Sequence, residues 1–258
     1  MQLEYPRIHL AIDNCFASKR WTLPSEWMEV ISSLRVKYIE ASADTECDPL
    51  YMGPDYLRDW VEEVQVQSEK KGLRVVNLYS GHGSYSTLGL SHTDIRVRDR
   101  FHHEWLESLI LIAERLTAGI GFFCHAFNDS ALQNNAAYSE IIADLYNRFS
   151  DLAIFAAEHN NVIIGVEQMY TPHQIPWTIN GSIAMIKEVY TRTGKPLYIT
   201  LDTGHQTGQR KFLRPSESQI LSIIKDHTQF GGFRDNRTVW LGPNSCYELV
   251  EECTRDLS

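Results

Sequence analysis

Val162-Ile163-Ile164-Gly165-Val166-Glu167 and Leu197-Tyr198-Ile199-Thr200-Leu201-Asp202-Thr203-Gly204-His205 decide how this chain folds. Each opens on a short run that is apolar at odd and even positions alike. Such a run reads as a strand covered by helices on both faces, which is the situation of a parallel sheet. Each run then stops at a carboxylate. Between them Ile183, Ile186 and Val189 keep helical spacing, and Thr193-Gly194-Lys195-Pro196 ends that helix just before the second strand. The stretch is therefore one strand–helix–strand unit.

Working outward, the unit repeats. Further apolar, β-rich runs lie near 8–12, 36–40, 73–79 and 118–124. Helical spacing fills the gaps: Trp27, Val30, Ile31 and Leu34 after a Pro24-Ser25 start; Leu57, Trp60, Val61 and Val64; Phe101, Trp105 and Ile112; Ile141, Leu145, Phe149 and Leu152. Lys71-Gly72 and Asn160-Asn161 are the corresponding stops. Strict alternation of this kind leads to a barrel or to a doubly wound sheet. No glycine-rich phosphate loop follows an early strand, so a (β/α)8 TIM barrel spanning residues 1–258 as a single domain is the expected fold. Spacing complicates the end of the chain. Five units between residues 8 and 197 take about 38 residues each, and three more would need about 114 where 62 remain. The last one or two units are expected to be shortened or missing.

Composition narrows the function. No apolar run is long enough for a membrane span, and Met1-Gln2-Leu3-Glu4-Tyr5-Pro6 lacks the basic, then apolar, start of a secretory signal. Cys15, Cys47, Cys124, Cys246 and Cys253 are odd in number and scattered, which suits free thiols in a cytoplasmic setting. A net charge of −9 with no basic face argues against nucleic acid as a partner. A small molecule is the expected ligand, and self-association into a homo-oligomer stays open.

In barrels, chemistry gathers at the C-terminal ends of the strands. Here those ends carry Asp13-Asn14-Cys15, Glu40-Ala41-Ser42, His82 between Gly81 and Gly83, His125, Glu167 and Asp202 with His205. Any one of them could be a solvated loop residue or a cap, but all six ends are polar in the same sense. Glu167 could pair with a lysine or arginine. It could instead be a metal ligand facing Asp202 from the next strand, since adjacent carboxylates repel and a cation between them relieves the repulsion. Oxygen donors with few imidazoles favour Mn²⁺, Mg²⁺ or Co²⁺, with Zn²⁺ still compatible. His82 and His125 are candidate substrate contacts, and Trp177 could cover one face of the substrate or plug the core beneath its loop. His9 and the pair His102-His103 read as structural.

Gly165-Val166-Glu167, Leu201-Asp202-Thr203-Gly204-His205 and the βα pattern over residues 8–206 resemble the xylose isomerase-like TIM-barrel family of sugar isomerases and epimerases. The resemblance implies one divalent metal held by a Glu on strand five, an Asp on strand six, a His on strand seven and a Glu on strand eight. Glu167 and Asp202 match the first two as metal ligands, and Glu167 would also be the catalytic base. His205 matches a histidine that orients substrate oxygens. For the last two ligands His227 and Glu248 are the candidates by residue type, and neither follows an apolar strand. The implied activity is proton abstraction next to a carbonyl through an enediolate, on a sugar or sugar phosphate. Rivals are a non-catalytic sugar-binding barrel, a related lyase or dehydratase, and a phosphodiesterase of the apurinic endonuclease type.

Overall fold

The computed structural model of the protein describes residues 7–18, 20–81 and 89–208. Eight strands occur among them: β1 (Ala11–Asp13), β2 (Tyr38–Ser42), β3 (Arg74–Ser80), β4 (Gly119–Phe122), β5 (Cys124–Ala126), β6 (Ile164–Gln168), β7 (Gln174–Ile175) and β8 (Tyr198–Leu201). Six form one sheet in the order β1-β2-β3-β4-β6-β8, and every neighbouring pair in it is parallel. These are the six strands expected from the sequence, most of them displaced by one to three residues toward the C-terminus. β5 and β7 pair antiparallel as a small separate ribbon. They are too short to leave a periodic signal, and the sequence gives no hint of them.

Helices Pro24–Ser33, Pro54–Lys71, Asn135–Glu158 and Ile179–Thr193 make four of the crossovers. The fifth, between β3 and β4, runs through Ile95–Asp99, a π-helical turn at Arg100–Leu106, and Glu107–Leu116. Punctuation falls where the sequence put it. Pro24 sits in the first turn of its helix, Gly72 and Gly194 end helices at φ +66° and +65°, and Asn160 and Asn161 take φ 53° and 54°. One expected stripe is rotated. The Ile179–Thr193 helix buries Ser182, Met185 and Val189, while Ile183 is exposed. Met185 and Val189 stand one turn apart on the inner face, and Ile183 lies on the flank.

The two faces of the sheet differ in kind. Ile39, Ala41, Leu78, Ile120, Phe122, Ile164 and Val166 point outward and are buried under the helices, against Trp27, Trp60, Trp105, Leu109 and Phe149. The other face carries Glu40, Asn77, Tyr79, Gly119, Gly121, Gly165, Glu167 and Thr200, aligned by the register Asn77–Gly119, Tyr79–Gly121, Gly121–Gly165 and Glu167–Thr200. This is the inside of the barrel wall, and it is polar and glycine-rich. The glycines are there for room. A Cβ on Gly121 would fall 2.6 Å from Cδ2 of Tyr79, and one on Gly165 would fall 2.6 Å from Oγ1 of Thr200. Gly121→Ala is accordingly expected to destabilise the protein by about 1–3 kcal/mol, read as a lower denaturant midpoint at unchanged slope.

None of the described helices is long and apolar enough to cross a membrane. Residues 209–258, where strands seven and eight of the expected barrel would fall, lie outside the described residues, as do His227 and Glu248.

Candidate functional site

Glu167 is the fourth residue of β6, on the inner face of the sheet, and is 7% exposed. The hydroxyl of Tyr79, from β3, donates to its Oε2. The two residues stand two strands apart, with Gly121 of β4 between them, and the missing side chain there lets the tyrosine ring lie across the gap. Asp202 follows β8 directly. Its Oδ1 accepts from the backbone N–H of Gly204 at 2.6 Å and of His205 at 3.1 Å, which starts the short helix Thr203–Gly208 and fixes the carboxylate. The Asp-x-x-His spacing thereby folds His205 back over the strand ends.

His205 Nδ1 lies 3.1 Å from the carbonyl oxygen of Gln168 and 3.2 Å from Glu167 Oε1. A carbonyl can only accept, so Nδ1 carries a hydrogen, and in the neutral ring Nε2 is then the nitrogen with the lone pair. That nitrogen is 3.7 Å from Asp202 Oδ2. The ring of Tyr170 lies against the imidazole, with centroids 4.9 Å apart. One ligand atom each from Glu167, Asp202 and His205 falls within 4.8 Å of the others. The three line a cleft of about 270 Å³ together with Tyr79, Gly81, Phe123, Met169, Tyr170 and Gln174.

Electrostatics in the cleft are one-sided. Burial, then the charges of Asp202 and Glu40, push the Glu167 carboxyl up to about 7. Glu40 is raised as well, chiefly by burial, although Asn77 Nδ2 donates to it at 2.7 Å. Glu46 is also pushed up to about 7 by burial, but Trp60 Nε1 donates to it at 3.3 Å and it does not line the cleft. A buried carboxylate facing a second carboxylate and an imidazole is a donor set that suits a divalent cation. The residues present therefore fit the metal that the sequence led us to expect.

Of the site residues read from sequence, the structure brings together Glu167, Asp202 and His205. Trp177 is half-buried and is not among the residues that line the cleft. His125 lies in β5, but its side chain is outside what is described, and His82 falls outside the described residues altogether. Tyr79 was missed. Its signal was available: Asn77 and Tyr79 alternate on β3 opposite Gly119 and Gly121 on β4, and large polar side chains facing glycines mark an interior layer with space in it.

A sequence model described as xylose isomerase-like TIM barrel matches residues 28–230. The chain belongs to that family. Its fold is shared with a candidate xylose isomerase from Rhodospirillum rubrum (TM-score 0.70, 21% identity, covering 78% of this chain and 68% of that one). The D-psicose 3-epimerase of Clostridium cellulolyticum, solved with D-tagatose, is similar over 87% of this chain and 82% of its own at TM-score 0.58 and 14% identity. IOLI, solved with a zinc atom, is similar over 77% of this chain and 64% of its own at TM-score 0.57 and 14% identity. At such identities the likeness speaks for the fold. No curated protein matches the chain.

Proposed function

We propose that this member of the xylose isomerase-like family is a metal-dependent sugar isomerase or epimerase, acting on a ketose, an aldose or a sugar phosphate. The observation that carries the reading is the convergence of Glu167, Asp202 and His205 on one small volume at the strand ends. A D-tagatose-bound epimerase and a zinc-bound protein among its structural relatives support the substrate class and the metal.

A proton on carbon next to a carbonyl is weakly acidic, so its removal needs both a base and stabilisation of the enediolate that forms. A divalent cation held by Glu167 and Asp202 would supply the second as a Lewis acid toward the carbonyl and neighbouring hydroxyl oxygens. Glu167 is the proposed base. Tyr79 holds one of its oxygens, leaving Oε1 on the side of His205 and Asp202. His205, its tautomer fixed by the Gln168 carbonyl, orients a substrate hydroxyl through Nε2 or adds a nitrogen donor to the metal set. Phe123, Met169 and Tyr170 give the cleft an apolar wall, which keeps water away from the carbanion. Acids around the cleft disfavour a polyanionic ligand such as nucleic acid, which sets the phosphodiesterase reading behind this one.

The experiment is hydrogen exchange. Protein loaded with Mn²⁺, Co²⁺ or Zn²⁺ is incubated in D₂O with a panel of ketoses, aldoses and their phosphates. Deuterium should appear at the carbon next to the carbonyl of at least one sugar, as followed by NMR. Binding of a sugar without exchange would favour the non-catalytic barrel. Tyr79→Phe is expected to cost about tenfold in turnover and to move the acid limb of the pH profile upward, because a donor to the ionised carboxylate favours that form. A profile that keeps its position would remove Tyr79 from the site.

A further inference from the structure

We propose that His102, His103 and Glu107 form a second divalent-metal site, of a kind suited to zinc, on the crossover between β3 and β4. The sequence reads the two histidines as structural, and the backbone changes that reading. Residues Arg100–Leu106 are π-helical, and the N–H of Glu107 donates to the carbonyl of His102, five residues back. The wider turn sets position 107 over position 102 while keeping it next to position 103, so one carboxylate meets two adjacent imidazoles. Glu107 Oε1 is 2.9 Å from His103 Nδ1 and 3.4 Å from His102 Nε2, and the imidazole centroids are 4.4 Å apart. Two donors on one tetrahedral zinc stand about 3.3 Å apart; both carboxylate–imidazole separations are close to that, and all three ligand atoms lie within 4.8 Å of one another.

A helical His–Glu pair would account for His103, which is exposed, but not for His102. That side chain is 1% exposed, and among the described residues neither of its ring nitrogens has a hydrogen-bond partner. Buried polar atoms left without partners ask for an explanation, and an ion would give Nε2 its partner. The neighbouring carboxylates do not compete for the histidines: Asp99 and Asp144 accept from the Arg148 guanidinium at 2.7 and 2.8 Å. Two imidazoles and one carboxylate leave a fourth position for water or an outside ligand, the donor set of zinc rather than of magnesium or calcium.

The test is zinc stoichiometry on the metal-stripped full chain, titrated with Zn²⁺ against a chromophoric chelator. The native protein should bind two ions. His103→Ala and Glu107→Gln should each lose one, with at least about 100-fold weaker binding at that site. Glu167→Gln should lose the other, and Glu167→Gln combined with His103→Ala should bind none. His103 is exposed, so its variant should melt like the native protein without zinc and lose only part of the zinc-induced rise in Tm. If His103→Ala and Glu107→Gln keep the native stoichiometry and affinity, the second site is overturned whatever Glu167→Gln does. If they lose an ion that Glu167→Gln retains, it stands independently of the cleft.

Discussion

Glu167→Gln is expected to reduce turnover by at least about 10³-fold and, in the metal-stripped protein, to raise stability at alkaline pH. Both effects come from one group. Removing the base and a metal ligand takes away the proton acceptor and loosens the cation, and each is worth orders of magnitude. The stability effect follows from burial. Against an ordinary carboxyl value of 4.5, Glu167 is pushed up to about 7 in the folded chain, with burial the largest cause. The native state binds this proton more tightly than the unfolded chain does. Its stabilising contribution is therefore complete below about pH 4.5 and fades as pH rises through about 7, leaving a deficit of roughly 3 kcal/mol above that. Glutamine carries no charge at any of these pH values. Denaturant titrations at pH 5 and pH 8 should show the metal-stripped native protein losing stability across that interval and the variant losing less. A variant that turns over sugar at the native rate, or melts earlier than native at pH 8, would refute the role assigned to Glu167.

Affinity for a divalent cation should fall about tenfold per pH unit below pH 7, reaching about 100-fold by pH 5, and level off above pH 8. A proton and a cation compete for the same carboxylate, and Glu167 holds its proton up to about 7 because burial and the Asp202 and Glu40 charges oppose ionisation. Bringing in the cation answers that like-charge repulsion, so binding should release a proton in this range. Titration calorimetry in buffers of different ionisation enthalpy reads the proton count directly. With Glu167→Gln the Glu167 component of the slope should vanish. An affinity that is level between pH 5 and pH 7 in the native protein would mean that Glu167 is not a ligand.

Much of this was legible in the sequence because barrels separate their signals along each strand. Runs such as Val162 to Val166 announce a buried strand, and the first carboxylate after the run marks where packing gives way to chemistry. Gly72, Asn160, Asn161 and Gly194 announce the helix ends because left-handed backbone favours those residue types. What the sequence hides is which face each strand residue takes. Val162–Val166 reads as apolar on both sides, yet its inner-face position is Gly165, while Ile163 just before β6 is exposed. Tyr79 was hidden for the same reason, since its role depends on an empty position at Gly121 one strand away. The π-helical turn was hidden too: Phe101 and Trp105 satisfy ordinary helical spacing, and the extra width that brings His102 to Glu107 leaves no mark in the pattern. Local periodicity reports elements well, and cross-strand partners only where glycine or a carboxylate stands out.

The central claim is that Glu167 and Asp202 hold one cation between them, and Mn²⁺ bound to the full chain tests it without reference to any sugar. Electron paramagnetic resonance of free Mn²⁺ counts the ion taken up at pH 8 by native protein and by the Glu167→Gln, Asp202→Asn double variant. The prediction is saturable uptake of one ion at the cleft by the native protein, weakened at least about 100-fold in the double variant with its fold intact. Equal uptake by the two proteins would contradict the account.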